Sequence, residues 1–555
     1  MENFNFFIEY VRDGRTLCES ALNTEFYDVE YSADSRFLEL SIRTKAPLEL
    51  KKIGVSFEKP HKDGERFYAN GYQAWTTSRE YSATDRQRGV TPLACVHPKL
   101  KTLAAISGDY LFCGYPKACG IFHGFTYCYF RDGENVELFG SLDERSGFTV
   151  FKRDMAKGVF SIEKDVEGLT VDGQYKIFEI MRAEGSYDGV FDGYFERFGV
   201  AAPKLKSLSG YTSWYNYFQK IDESIILRDL EGLTRAKDKA EIFQIDDGYE
   251  TFVGDWLDKN PKKFPNGMGY IAQKIHGKGL LAGLWLAPLN AQRNSRLAAE
   301  HPDWLIKNDK TGKPIVGVIA WGGAYSLDVY NPEVRAYLKK VFDTVLGEWR
   351  FDMLKLDFLY SQCIHPRNNK TRGTIMCETM EFLRELAGDK LILGCGVPLG
   401  AAFKYVDACR TGCDADLVYG GRYYNKIGGG INSEIISTQN SINNTIFRRH
   451  LNGRAFLSDP DVFFLRDDNI KFSYEQKLLL AKINNLFGGV LFVSDDVGKY
   501  NESQLELLKA AFTKRDVKII SAEYKTKTQI EIVYESDGKT EVLSFDIKIG
   551  VADKR

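Results

Sequence analysis

The sequence predicts a multidomain α/β and β chain: an N-terminal antiparallel β-sandwich (1–200), a central (β/α)8 TIM barrel (201–513) and a small C-terminal β domain (514–555). Three observations predict it. Short apolar stretches alternating near period two fill the first 200 residues, without a long amphipathic helix. From there to about 513, continuous apolar runs of strand length recur eight times, most of them separated by helical patterns. Alternation suits strands with one wet face, whereas unbroken runs suit a parallel sheet covered on both faces. After 513 the strand texture returns.

The sandwich is read from Val29–Ser32, Phe37–Ile42, Gly147–Phe151 and Phe160–Glu163, which are bounded by Gly, Asp and Lys turns. The eight barrel runs are 209–217, 241–248, 280–288, 353–360, 391–398, 408–416, 454–460 and 488–496. A helix is predicted over 332–349, with Asn331 as cap, Pro332 in the first turn, and Val334, Tyr337, Leu338, Val341, Val345 and Trp349 on one face. Gln504–Phe512 is a shorter one. Eight strand–helix units fit a (β/α)8 barrel, with an open doubly wound sheet as the alternative. Two gaps are irregular. Between the third and fourth runs, 315–329 looks like an inserted excursion, and between the fifth and sixth only a short helix fits. In the tail, strands are expected at 517–520, 528–533 and 541–547, with a turn at 535–539. So small a unit buries a poor core alone and is expected to pack on the barrel.

Composition narrows the partners. With 74 basic against 76 acidic residues, the net charge of −2 gives no electrostatic reason for nucleic acid or an anionic membrane. No apolar stretch of about 20 residues suggests a membrane span, and the N-terminal residues have no signal-peptide run. The 10 cysteines contain no CxxC pair and read as reduced thiols of a cytoplasmic protein. The scattered histidines and cysteines suggest no metal, and no cofactor motif is present. The oligomeric state is open, a homo-oligomer included.

Chemistry in a barrel gathers at the C-terminal ends of its strands. The second run ends in Asp246-Asp247-Gly248. The fourth carries Lys355 and Asp357, two apart and so on one face. The fifth ends in Gly394-Cys395-Gly396, the sixth carries Arg410 and Asp414, and the first and third contribute Trp214 and Trp285. Carboxylates accept from sugar hydroxyls and indoles pack on sugar C–H faces, so the set points to carbohydrate. Two carboxyl groups in different protonation states are what glycosidic cleavage needs. Each residue also has a structural reading: Asp357 as a helix cap, Lys355 as its counter-ion, Trp214 and Trp285 as core, Cys395 as a buried thiol, and Arg410–Asp414 as an ion pair.

Five motifs in this order resemble glycoside hydrolase family 36, the bacterial α-galactosidases, over essentially the whole chain. They are Gly210-Tyr211-Thr212-Ser213-Trp214-Tyr215, Asp246-Asp247-Gly248-Tyr249, Lys355-Leu356-Asp357-Phe358, Gly394-Cys395-Gly396-Val397-Pro398, and Arg410 with Asp414. The resemblance implies Asp357 as nucleophile and Asp414 as general acid/base. It also implies Asp246 and Asp247 on the galactose 4- and 6-hydroxyls, Lys355 on the 3- and 4-hydroxyl side, and Cys395 and Gly396 near the 2-hydroxyl. Trp214, Tyr215 and Trp285 would line the pocket, Arg410 would orient carboxylates, and Trp75, from the sandwich, would close the site, a core role being its alternative. Tyr249 stands where the family often has Trp, and Cys413 where Pro is frequent. Asp416 is the rival acid/base if the sixth strand continues, whereas Asp459 and Asp461 read as structural.

The implied reaction is retaining hydrolysis of terminal α-galactosides. Lys355 would keep Asp357 ionised, and Arg410 is expected to stand offset from Asp414, since a direct pair opposes a proton-donating role. The alternatives are α-N-acetylgalactosaminidase, galactosyl transfer, and a sugar-binding protein without catalysis.

Overall fold

The computed structural model describes residues 1–90, 105–258, 260–309, 311–421 and 433–553. Two seven-stranded antiparallel sheets form the N-terminal sandwich, one centred on Leu48–Glu58 and the other on Asn135–Ser141. The period-two pattern sets their facing: in Phe37–Thr44, Leu38, Leu40 and Ile42 are buried while Glu39 and Arg43 are exposed. One element departs from expectation. Tyr187–Phe198 is a helix, capped by Ser186 and ended by Gly199 in the left-handed region (φ 76°). Its buried Val190, Phe191, Tyr194, Phe195 and Phe198 lie at helical spacing, a stripe hidden in the sequence by the density of aromatics around it.

The barrel strands are β1 Leu208–Thr212, β2 Ile242–Ile245, β3 Leu281–Leu286, β4 Met353–Leu356, β5 Leu391–Gly394, β6 Ala408–Arg410, β7 Leu457–Asp459 with Val462–Phe463, and β8 Val490–Val493. All pair in parallel. The two ends of this sheet are the two pieces of β7: Leu457–Asp459 pairs with β6 and Val462–Phe463 with β8. Pro460, which has no N–H, and Asp461, at φ 75°, interrupt one strand that closes the sheet on itself. That closure selects the barrel over the open doubly wound sheet.

The irregular gaps are filled as their lengths require. The third gap holds a three-stranded antiparallel sheet of Asn290–Gln292, Val316–Val318 and Ala324–Ser326; the fifth holds the four-residue helix Leu399–Ala402. Asn331 caps Pro332–Phe342 by accepting from the Glu333 amide (2.8 Å), and Asp343–Glu348 continues as a π turn. The sixth run is shorter than expected. Its ladder stops at Arg410, so Asp414 and Asp416 stand on a loop and share no strand face.

The tail is a four-stranded antiparallel sheet, Val517–Tyr524, Gln529–Ser536, Lys539–Asp546 and Val551–Ala552. Asp537 and Gly538, both at positive φ, make its tight hairpin. It docks on the barrel helix Thr438–Phe447, where Tyr524 stacks on Phe447 and donates to Asn443 (2.9 Å). One apolar core runs from the helix Tyr187–Phe198 through the barrel into this tail, and a second lies inside the sandwich. Among the described residues no helix is long and apolar enough to cross a membrane.

Candidate active site

At the C-terminal mouth of the barrel a small cleft is lined by Asp357, Phe358, Tyr360, Cys395, Gly396 and Asp414 from the barrel, Gln73 and Trp75 from the sandwich, and Ser107. Of the seven barrel-mouth aspartates named from the sequence at these strands and loops, Asp357 and Asp414 are half-buried, while Asp246, Asp247, Asp416, Asp459 and Asp461 are buried. The two carboxylates with access to the cleft are thus the pair assigned to bond cleavage.

Asp357 follows β4 directly. The Phe358 amide donates to its Oδ1 (2.7 Å) and the Trp285 indole N–H to its Oδ2 (3.1 Å). Phe358 itself stands at φ 54°, in the left-handed region. Trp285, 2% exposed, is therefore behind the carboxylate rather than a platform in front of it. Gly396 (φ 62°) passes so close that a Cβ there would stand 3.3 Å from the Phe358 backbone, and burial pushes the neighbouring Cys395 thiol well up.

Lys355 does not pair with Asp357. Its ammonium donates to Asp246 Oδ1 (2.7 Å) and Oδ2 (3.3 Å), both side chains being buried. Burial pushes the Asp246 carboxyl up, Lys355 opposes this, and the charges of Asp357 and Asp247 add to it. The lysine's action on Asp357 is thus through space. Breaking such a buried pair by removing one partner costs about 3–5 kcal/mol.

Asp247 accepts from Gln219 at both oxygens (3.2 and 3.0 Å) and from the Trp321 indole N–H (2.8 Å). Gly248 (φ 119°) is required here, because a Cβ would stand 2.7 Å from the Gln219 Cα. Burial and then Asp247 push the Glu250 carboxyl well up, and its Oε2 accepts from the Gly248 amide (3.1 Å).

Arg410 overturns its expected offset. Its guanidinium contacts Asp414 (2.8 Å), Asp459 (3.2 Å) and Asp461 (2.9 Å) at once. The break in β7 is the cause: Asp461, at positive φ, turns inward and also accepts from the Tyr215 hydroxyl and the Ala415 amide. Asp459 and Asp461, read as structural, therefore belong to the ion cluster behind Asp414. Asp416 stays buried, its amide on the Thr438 hydroxyl. Trp214, edge-on to Phe218, and Tyr215, committed to Asp461, are not among the residues lining the cleft.

Trp321, Gln219, Glu250 and Glu434 escaped the sequence reading. Trp321 had a signal, a tryptophan inside the 315–329 excursion; the others depend on tertiary contacts. Glu434 is buried (1% exposed) and accepts from Gln73 (2.8 Å) and the Thr76 hydroxyl beside Trp75. Burial pushes its carboxyl up to about 8, with Asp109 adding and Thr76, Gln73 and Arg448 opposing. A carboxyl raised on folding stabilises fully below its unfolded value and loses that contribution as pH rises to about 8. Between pH 5 and 8 the native chain should lose about 1.4 kcal/mol per pH unit that Glu434→Gln does not lose; parallel denaturation curves in urea across that range check this.

Among the described residues, Asp109, Cys113 and His123 could offer metal ligands, their atoms lying within 4.8 Å of one another. The Asp109 carboxylate already accepts from Tyr115 (2.7 Å) and pairs with His123 (2.7 Å).

A sandwich set against a closed parallel barrel is a fold that this chain shares with solved alpha-galactosidases. A family model described as Melibiase matches residues 217–378, which include Asp246, Asp247, Lys355 and Asp357 but not Arg410 or Asp414. The chain is 31% identical over 135 residues to an A type blood alpha-D-galactosamine galactosaminidase of Flavonifractor plautii, covering 22% of this chain and 12% of that protein. It is 33% identical over 124 residues to the alpha-galactosidase Mel36A of Lactobacillus acidophilus, covering 21% and 16%. The aligned stretches thus span less than a fifth of either relative. In fold, it matches the alpha-galactosidase TtGalA of Thermus thermophilus with TM-score 0.70 at 22% identity, over 96% of this chain and 98% of that one. It matches the GH36 alpha-galactosidase AgaA of Geobacillus stearothermophilus with TM-score 0.60 at 12% identity, over 97% and 80%. The segment that the family model matches holds two of the five motifs, Asp246-Asp247-Gly248-Tyr249 and Lys355-Leu356-Asp357-Phe358, and so supports the resemblance to glycoside hydrolase family 36 there.

Proposed function

We propose that the chain is a retaining, exo-acting α-galactosidase that releases terminal α-D-galactosyl residues. The observation that carries this reading is the cleft shared by the two half-buried carboxylates, Asp357 and Asp414, under Trp75. The galactosidases among the relatives support the sugar assignment. So does the neighbour solved with p-nitrophenyl α-D-galactopyranoside.

Asp357, oriented by the Trp285 N–H and the Phe358 amide, attacks the anomeric carbon while Asp414 gives its proton to the departing oxygen. A β-linked galactosyl ester of Asp357 forms. Asp414 then takes a proton from water, which attacks the anomeric carbon, and the Asp357 carboxylate leaves. Two inversions return α-galactose. Asp246, Asp247 and Lys355 offer acceptors and a donor for ring hydroxyls, at positions made rigid by Gln219, Trp321 and Gln244. Nine unpaired cysteines among the described residues suit a reducing compartment, the cytoplasm.

Incubation with p-nitrophenyl α-D-galactopyranoside, with the sugar read by proton NMR in the first minutes, tests the reading. α-Galactose as first product is expected; β-galactose, or no release of nitrophenol, overturns it. A second reading, α-N-acetylgalactosaminidase, rests on the small Cys395 and Gly396 lining the cleft; one relative is named for α-D-galactosamine, the 2-amino sugar without the acetyl group. The matching N-acetylgalactosaminide, assayed in parallel, separates the two.

A further inference from the structure

The helix Thr438–Phe447 is buried over its whole length, yet much of its surface is polar. Asn440, Asn444 and Arg448 recur every fourth residue and so lie on one face, with Asn443 beside them. A polar face that leaves water must find partners. Here the partner is a turn of the sandwich, residues 71–78.

The pairing is almost complete. Arg448 donates to the carbonyls of Gly71 (3.4 Å), Gln73 (2.9 Å), Ala74 (2.8 Å) and Thr76 (2.9 Å). Asn440 donates to the Trp75 carbonyl (3.0 Å), and Asn444 to those of Ala74 (2.9 Å) and Thr76 (3.0 Å). The Leu399 amide takes the Tyr72 carbonyl (3.2 Å). Six consecutive carbonyls, 71 to 76, are therefore held by barrel residues. Gly71 permits the approach, since a Cβ there would stand 2.9 Å from Arg448 Nη2. Within 71–78 the half-buried side chain that this leaves at the cleft is Trp75, while its neighbours Ala74, Thr76, Thr77 and Ser78 are buried. Arg448 also donates to the Thr411 carbonyl (2.6 Å), next to Arg410 in the loop that carries Asp414.

We propose that Asn440, Asn444 and Arg448 are positioning residues that fix Trp75 as a wall of the sugar pocket. Through Thr411, Arg448 also sets the spacing between that wall and Asp414. A ring on a free turn would lose side-chain and backbone entropy each time sugar bound, and a prepaid turn avoids that cost. This rests on the galactosidase reading, whose own test is turnover by the native chain.

The closing experiment is a double-mutant cycle on p-nitrophenyl α-galactoside, using the full chain. Trp75→Ala is expected to raise KM about tenfold and to change kcat less than about threefold. Asn444→Ala, with Trp75 present, should raise KM by a similar factor, and the double variant should be no worse than Trp75→Ala alone. Additive KM effects, or a loss of kcat at unchanged KM, overturn the proposal. Arg448→Lys should recover part of what Arg448→Met loses; equal loss from both also overturns it. If Asn444→Ala fails to fold, Asn440→Ala, which removes the side-chain donor to the Trp75 carbonyl, takes its place in the cycle with the same outcomes. A second readout does not need turnover. Iodide quenching attributable to Trp75, taken by difference from the Trp75→Phe protein, should rise about twofold in Asn444→Ala as the turn loosens, and unchanged quenching counts against the clamp.

Discussion

Asp357→Ala should lower kcat/KM on an aryl α-galactoside by about 10^4-fold or more, because a covalent route without its nucleophile leaves only binding and general polarity. The variant should still fold. Asp357 is half-buried, and its two hydrogen-bond donors, the Trp285 indole and the Phe358 amide, can turn to water in the space the carboxylate vacates. Azide makes the result specific. Small enough for that space and placed on the β face, it should restore nitrophenol release and give β-galactosyl azide. Turnover by Asp357→Ala within about tenfold of the native chain would remove the nucleophile assignment. Asp246→Ala is the useful contrast: it leaves Lys355 buried and unpaired, so stability as well as activity should fall.

How much of this was legible in the sequence depends on whether the information was local. β2, β4 and β5 carry their chemistry at the next residue or two, so Asp246-Asp247-Gly248, Lys355 with Asp357 and Cys395-Gly396 could be placed by counting. The β7 break is also local, Pro460 before Asp461, but its consequence is not. Only closure against β6 and β8 turns Asp461 toward Arg410, and so the cluster that holds Asp414 cannot be placed by counting residues. Asp357 is the carboxylate nearer to Lys355 in sequence, whereas the pleat and the barrel curvature bring Asp246 to its ammonium in space. The helix Tyr187–Phe198 was hidden by its aromatics, whose helix propensity is middling and whose burial decides the matter. The Trp75 turn could be nominated from the sequence, but the asparagine and arginine face that holds it could not. Buried Asn440, Asn444 and Arg448 look like solvent-facing residues until their carbonyl partners are known.

Asp414→Ala should separate substrates by how much help their leaving group needs. A dinitrophenolate departs unprotonated, so the first step should slow by about tenfold or less; an alkyl or sugar leaving group should lose about 10^3-fold, the usual scale of general acid assistance. Arg410 contacts Asp414 (2.8 Å), Asp459 (3.2 Å) and Asp461 (2.9 Å), so one guanidinium charge is divided among three carboxylates, and burial pushes the Asp461 carboxyl up to about 7. In the second step of a retaining reaction the acid/base group must take a proton from water. The same variant should therefore also be slow in the second step, and azide should rescue it with the opposite stereochemistry to Asp357→Ala: attack on the galactosyl ester from the α face gives α-galactosyl azide. Equal losses on dinitrophenyl and alkyl galactosides, or β-galactosyl azide from Asp414→Ala, would move the acid/base role elsewhere in the Arg410 cluster.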